Sequence, residues 1–417
     1  MVVLLALLVG VAACTDDATT DAGGGPSDTV APSADVDRAP VDPDAPVDSL
    51  VAGFNDAGFD LLRTLPVADD AVYSPLSVGH ALLMARAAAD DETGRAIDDA
   101  IGLPDGVDAH RAWNALDAAL VASEGTAEAL DGEPTPIVDL AGRLWPSTTA
   151  APDQAWIDLL AAEHGAGVET IDTGAPDESR DRINAWVAEQ TNDLIPELLP
   201  ENFIDGNTVL VLTDAVYFKA QWRSIFGKYG EVVAPFTRLD GSTVDVTYLV
   251  DREQPGPRGR GGGFVGAELP YLGDDFALLL IVPEEGRFAE VRDRLSTDLL
   301  AEIDGAFTAG PYELHLPEWE TATTIDLLPW LTDLGAAPGN YPGIGPGVFI
   351  DGAVHGADIS VDEIGTEAAA ATAIGFDESG AADPELVVAA DKPYLYVVRH
   401  TPTGVVLFAG QVTDPTT

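Results

Sequence analysis

The chain has 417 residues, a single cysteine and a formal charge of −51 at neutral pH, from 71 acidic against 20 basic side chains. So negative a surface repels nucleic acid phosphates and anionic lipid headgroups, which excludes nucleic acid and bare membrane as partners. One thiol allows no disulfide within the chain, so stability has to come from packing.

Met1 to Ala13 is apolar and ends in Val11-Ala12-Ala13 directly before Cys14. The pattern reads as a lipoprotein signal over residues 1–13, of bacterial or archaeal type, which makes Cys14 the lipidated first residue of the mature protein. A plain secretory leader with a chance cysteine is the other reading. The run is too short to be a comfortable transmembrane helix. Residues 14–46 are rich in Asp, Ala, Gly, Pro, Ser and Thr and hold almost no large apolar side chain, the composition of a disordered acidic tether. An extracytoplasmic location follows, secreted or lipid-anchored to the cell surface, with Cys14 the one membrane contact. No comparable linker interrupts residues 47–417, which are expected to form one large domain.

Leu50 to Leu65 has the spacing of an amphipathic helix, with Val51, Phe54, Phe59, Leu61 and Leu62 apolar. Ala71 to Tyr73 reads as a short strand, broken by Ser74 and Pro75 before a second helix that carries Ser77 and runs through Ala89. Ile137 to Trp145 and Val168 to Ile171 read as strands, and Ala155 to Ala162 as a helix. Asp181 to Asn192 is a helix whose polar positions Asn184, Thr191 and Asn192 go beyond what amphipathicity asks for. Val209 to Trp222 is an apolar strand interrupted by Asp214. The glycine-rich stretch from Gly256 to Gly263 reads as a flexible hairpin tip. Phe276 to Pro283 is apolar throughout and expected to be buried on both faces. Leu314 to Pro317 is a strand and Asp326 to Gly335 a helix. Asp391 to His400 and Val406 to Val412, joined at Thr403-Gly404, form a buried hairpin.

The segment from Val361 to Phe376 has an unusual composition. Ala368 to Ala371 favours helix, whereas Thr366, Thr372 and Ile374 are compatible with a strand and Gly365 can act as a pivot. Alternate residues of a strand face opposite sides, so a segment that slides between two existing strands carries no bulk on its buried face. Thr366, Ala368, Ala370 and Thr372 meet that condition. An Ala-rich surface helix or linker is the competing reading from composition alone.

Gly365-Thr366-Glu367-Ala368-Ala369-Ala370-Ala371-Thr372-Ala373 resembles the reactive-loop hinge of inhibitory serpins, and the resemblance continues nearly in order from Leu50 to Pro415. It includes the Ser74-Pro75-x-Ser77 segment, Ile183-Asn184-x-Trp186-Val187, the run from Asp214 through Tyr217-Phe218-Lys219 to Trp222, and the closing hairpin. It implies a mixed α/β fold of three β-sheets with about eight or nine helices and an exposed reactive-centre loop at about residues 362–390. It further implies a metastable monomer that traps a serine, or cysteine, endopeptidase as a covalent acyl-enzyme by inserting the cleaved loop into the main sheet. On this reading Ser74, Pro75, Ser77 and His355 belong to the shutter, Trp222 to the breach, and Asp214 to the same shutter and breach set. Asp214 stands where the family has Asn, exchanging an amide for a carboxylate that cannot donate. Glu363, two before the hinge glycine, meets a lysine in many members, but here Glu318 follows Leu316-Pro317. The scissile bond lies about fourteen residues beyond the hinge glycine in the family, roughly 46 Å of strand at about 3.3 Å per residue. That count gives Ser379-Gly380, whereas counting back from Lys392-Pro393 gives a bond nearer Ala382. Small residues suit an elastase-like or subtilisin-like target, Glu378 a glutamate-specific one and Phe376 a chymotrypsin-like one. The alternative is a non-inhibitory serpin acting as a surface binding or scaffold lipoprotein. Such members carry bulky or charged hinge residues, absent here.

An enzyme finds no support. None of the six histidines forms a His-Glu-x-x-His helix, and there is no Gly-x-Ser-x-Gly elbow or phosphate-binding glycine loop. No cofactor and no metal is expected.

Overall fold

The computed structural model describes residues 2–11, 36–104, 106–226, 231–366 and 385–416. Cys14, Glu367 to Ala373, Phe376, Glu378, Ser379, Gly380 and Ala382 lie outside the described residues.

The elements follow one another as β1 (Val2–Val11), α1 (Val47–Thr64), β2 (Ala71–Tyr73), α2 (Pro75–Arg86), α3 (Asp91–Ala100), α4 (Ala109–Ala122), β3 (Ala127–Glu128), β4 (Pro134–Thr135), β5 (Ile137–Pro146), α5 (Gln154–His164) and β6 (Gly167–Val168). Then come α6 (Pro176–Gln190), β7 (Thr208–Gln221), β8 (Glu231–Thr237), β9 (Thr243–Gly261), β10 (Phe264–Pro270), β11 (Phe276–Pro283), α7 (Phe288–Asp293), α8 (Thr297–Ala306) and β12 (Thr308–Pro317). The chain ends with β13 (Trp319–Asp326), α9 (Leu328–Asp333), β14 (Val348–Val361), β15 (Gly365–Thr366), β16 (Val387–Ala389), β17 (Tyr394–His400) and β18 (Val406–Val412).

Local chemistry sets several of these boundaries. Ser74 caps α2 by accepting from the Ser77 amide at 3.0 Å, while Pro75 takes the first helical position. Asp90 and Ser296 cap α3 and α8 in the same way, accepting from the Thr93 and Leu299 amides. Gly165, at φ 64°, ends α5 in the left-handed conformation. Helix α2 is buried from Pro75 to Ala85 on every side, which marks a helix packed under a sheet and not along a surface.

The first sheet has two halves. On one side run β6, β5 and β7; on the other run β14 and β13. Between β7 and β14 lies a channel that holds β15 at its upper end and β1 along most of its length, each antiparallel to both walls. The second sheet runs β16, β12, β9, β10, β11, β17, β18, β2, with β8 on β9, and β3 pairs with β4 in a small third sheet. This mixed α/β architecture, three sheets and nine helices among the described residues, has the make-up that the resemblance implies. One core packs α1 and α2 against the second sheet and the inner face of the first. A second, smaller one lies under α6 on the outer face, around Trp145, Trp186, Val211 and Tyr217. There Asn184 accepts from the Leu198 and Leu199 amides and donates to the Leu199 carbonyl, so its place in α6 is that of a fastening for the following loop.

Two stretches differ from their sequence reading. Val2–Val11, read as part of a leader, is here the strand β1; a run of Val and Leu interrupted only by Ala6 and Gly10 suits a central strand as well as it suits a leader. Of the glycine-rich stretch only Gly262 and Gly263 form a turn; Gly256, Gly259 and Gly261 lie within β9. They are glycine for closeness, since a Cβ on Gly256 would stand 2.5 Å from the Glu268 carbonyl oxygen and one on Gly259 2.7 Å from the Phe307 ring.

Candidate functional site

The upper end of the channel is built where β7 runs out. Trp222 is fully buried and stacks on Tyr271 with ring centroids 4.4 Å apart. Its indole Nε1 donates to the Asp362 carbonyl at 2.9 Å and its amide to the Ile364 carbonyl at 2.8 Å. The Phe226 amide donates to the Glu363 carbonyl at 2.9 Å. The segment after β14 is thereby held against the end of β7. Asp362 then turns the chain back, its Oδ1 accepting from the Ile364 and Gly365 amides at 2.8 and 2.9 Å. Burial raises the Asp362 carboxyl above its ordinary value, these two amides lower it, and neighbouring Glu363 raises it again.

This turn sends Gly365 and Thr366 into the channel. Thr366 pairs with Val361 of β14 and Ala220 of β7, and Gly365 pairs with Gln221. Gly365 has to be glycine, because a Cβ there would lie 2.2 Å from the Ala220 carbonyl oxygen. Thr366 is fully buried, and its Oγ1 is 2.6 Å from the Tyr271 hydroxyl, whose own ionisation is pushed far up by burial. Glu318 and Glu363, both half-buried, flank the place where the β13–β14 ladder ends at the Trp319–Val361 pair.

About 20 Å further down, at about 3.3 Å per residue from Ala220 to Asp214, both walls of the channel are tied to α2. On the β14 side, His355 Nε2 accepts from the Ser74 amide at 3.1 Å, at the cap of the helix. The Ser77 hydroxyl close by is buried and has no hydrogen-bond partner among the described residues. On the β7 side, Asp214 Oδ1 lies 2.6 Å from His80 Nδ1. Ser74, Pro75, Ser77 and His355 are thus brought together, Asp214 joins them through His80, and Trp222, Gly365 and Thr366 form a separate group at the end of the channel.

Sequence reasoning passed over His80, which had been counted among the histidines without a role. The signal was present: a carboxylate inside an apolar strand needs a donor, and His80 lies six positions beyond Ser74 on the helix below. His80 in turn meets His164 (Nε2 to Nδ1, 2.9 Å), and His164 meets His110 (Nε2 to Nδ1, 2.9 Å).

Among the described residues no group of three or more His, Cys, Asp and Glu side chains could hold a metal ion, and no helix is long and apolar enough to cross a membrane. Residues 52–415 match the family model described as "Serpin (serine protease inhibitor)". The chain is 30% identical to serpin-Z12 of Oryza sativa subsp. japonica over 82% of this chain and 85% of that one. It is 28% identical to a serpin-like protein of Thermococcus kodakarensis over 88% and 86% of the two chains. Of the solved structures, the thermophilic serpin tengpin in its native state superposes with a TM-score of 0.75 at 20% identity, covering 91% of this chain and 96% of that one, a likeness of fold.

Proposed function

We propose a function from one premise: this chain belongs to the serpin family. Members of that family are generally protease inhibitors and not enzymes. On our reading this one is a suicide-substrate inhibitor of serine, or cysteine, endopeptidases. The protease nucleophile attacks the carbonyl of the scissile bond, the amine departs and an acyl-enzyme remains. The freed upstream arm of the loop then enters the channel as a new strand and carries the acylated protease with it.

The observation that carries this reading is the channel itself. The hinge is already seated at its top, and below the hinge the same two walls pair with a ten-residue strand antiparallel to both. Continuing the Thr366–Ala220 pairing in register would bring residue 369 to Tyr217, residue 378 to Thr208 at the foot of β7, and residue 379 to Val348 at the foot of β14. Ser379-Gly380 is therefore the bond whose cleavage frees an arm as long as the channel. If about a dozen new backbone hydrogen bonds each net about 1 kcal/mol, insertion is downhill by on the order of 10 kcal/mol.

The lipoprotein reading fits the same scheme. Removal of residues 1–13 leaves Cys14 as the lipidated N-terminus of a protein outside the cytoplasm and takes β1 out of the channel, which leaves it to the loop.

The test is incubation of the chain that begins at Cys14 with elastase-like, subtilisin-like, chymotrypsin-like and glutamate-specific proteases, followed on denaturing gels and by mass spectrometry. We expect a complex that survives denaturant, with a released peptide beginning at Gly380. Cleavage in the loop with no complex and no rise in melting temperature overturns the inhibitory reading in favour of a binding or scaffold protein.

A further inference from the structure

We infer that Asp214, His80, His164 and His110 form a proton-conducting chain from the surface to the channel wall, through which external acidity sets how firmly β7 is held to α2. The inference rests on the proposed function only for its consequence to inhibition; the proton chain itself can be tested without a protease.

The geometry fixes the roles of the atoms. Asp214 is 2% exposed, and an ionised carboxylate only accepts, so His80 Nδ1 donates to it. Neutral His80 then accepts through Nε2 from His164 Nδ1, and His164 accepts through Nε2 from His110 Nδ1. His80 and His164 are buried, and His80 lies flat on Trp113 with ring centroids 3.5 Å apart, so neither meets solvent directly. His110 is half-buried at a surface hollow shared with Arg86 and Asp98.

One proton arriving at His110 Nε2 is therefore conducted inward without any bond being lost. The Nδ1 proton of His110 passes to His164 Nε2, and the Nδ1 proton of His164 passes to His80 Nε2. His80 becomes protonated on both ring nitrogens, a single positive charge beside the Asp214 carboxylate, and His164 and His110 finish neutral as the opposite tautomer. The buried group changes from a net charge of −1 to zero, and Asp214 then accepts from an imidazolium instead of a neutral ring.

The surroundings agree with a single carrier. Burial, then the charge on His80, hold His164 well below the ordinary imidazole range, and burial, then Arg86, lower His110 to about 4. Both relay a proton and keep none. The other charges that bear on the chain are Asp98 of α3, Asp108 before α4, and Arg38 with Asp117 of α4. Of these, Arg86 is paired to Asp98 at 2.7 Å and Arg38 to Asp117 at 2.5 Å.

The consequence follows by linkage. β7 cannot part from α2 without taking Asp214 away from His80, so the state in which β7 is held to α2 binds the proton more tightly than the state in which it is not. The hold of α2 on β7 is strengthened as pH falls and weakened as pH rises. The β14 tie responds in the opposite sense, since a proton on His355 Nε2 would break its bond to the Ser74 amide.

The experiment uses the full chain with nitrogen-labelled histidine, followed by NMR between pH 8 and pH 4. We expect His80 to gain its second proton in one step while His164 and His110 change from the Nδ1-H to the Nε2-H tautomer at the same midpoint. Histidines that titrate independently, or a His80 that stays neutral throughout, overturn the inference. A second measurement covers the coupling: after correction for intrinsic exchange, opening of β7 amides should slow roughly tenfold between pH 7.5 and pH 5, through linkage to the proton held between Asp214 and His80. Asp214→Asn, nearly isosteric but unable to form the ion pair, should abolish that difference, and an unchanged pH dependence in D214N overturns the coupling.

Discussion

Thr366 concentrates the demands of strand insertion on one side chain. It is fully buried between two strands and its hydroxyl faces that of Tyr271 at 2.6 Å. A guanidinium there would be desolvated, at a cost of several kcal/mol. Thr366→Arg should therefore still be cleaved by the target while the yield of covalent complex falls at least tenfold, as read by the ratio of cleaved to complexed protein on denaturing gels; an unaltered ratio would show that Thr366 does not enter the sheet. At this scale the sequence was only partly legible. Thr366 and Gly365 announced themselves through the small-residue run that follows them. Asp214 announced only an anomaly, because its compensating donor, His80, is 134 positions away and belongs to a helix that otherwise reads as plain core.

The channel between β7 and β14 is the element on which the molecule turns. Its walls are paired to whatever strand lies between them, and the apolar run Val2–Val11 satisfies them in the described structure. A synthetic peptide with the sequence of residues 366–379 should then compete only where that run is missing. We expect it to raise the melting temperature of the chain beginning at Cys14 and to leave the full chain unchanged; an equal response from both would remove β1 from the argument. Helices and most strands could be read in advance because their spacing, caps and turn residues are local. The prolines and glycines of β9 obscured one long strand, since what keeps Gly256 and Gly259 extended is the Glu268 backbone and the Phe307 ring, which local pattern does not reveal. β1 was illegible for another reason: the same string of valines and leucines fits a leader and a central strand equally well.

For the whole molecule the dominant long-range term is its charge. A formal −51 repels itself across a domain whose dimensions exceed the Debye length at moderate salt, about 30 Å at 0.01 M and 3 Å at 1 M. The melting temperature of the uncleaved protein should rise steadily with sodium chloride over that interval, measured calorimetrically with a second salt of the same ionic strength as a control against specific ion binding. A flat response would mean that the 20 basic side chains already offset the repulsion locally, as Arg399 does by pairing with Glu268 within the second sheet and with Asp304 of α8. The order of strands in that sheet has a further consequence. β17 and β18, wholly buried, are inserted between β11 and β2, so β2 gains its place in the second sheet only through β18. Until that hairpin is in place the second sheet stays in two unjoined parts, and the core between it and α1 and α2 cannot close.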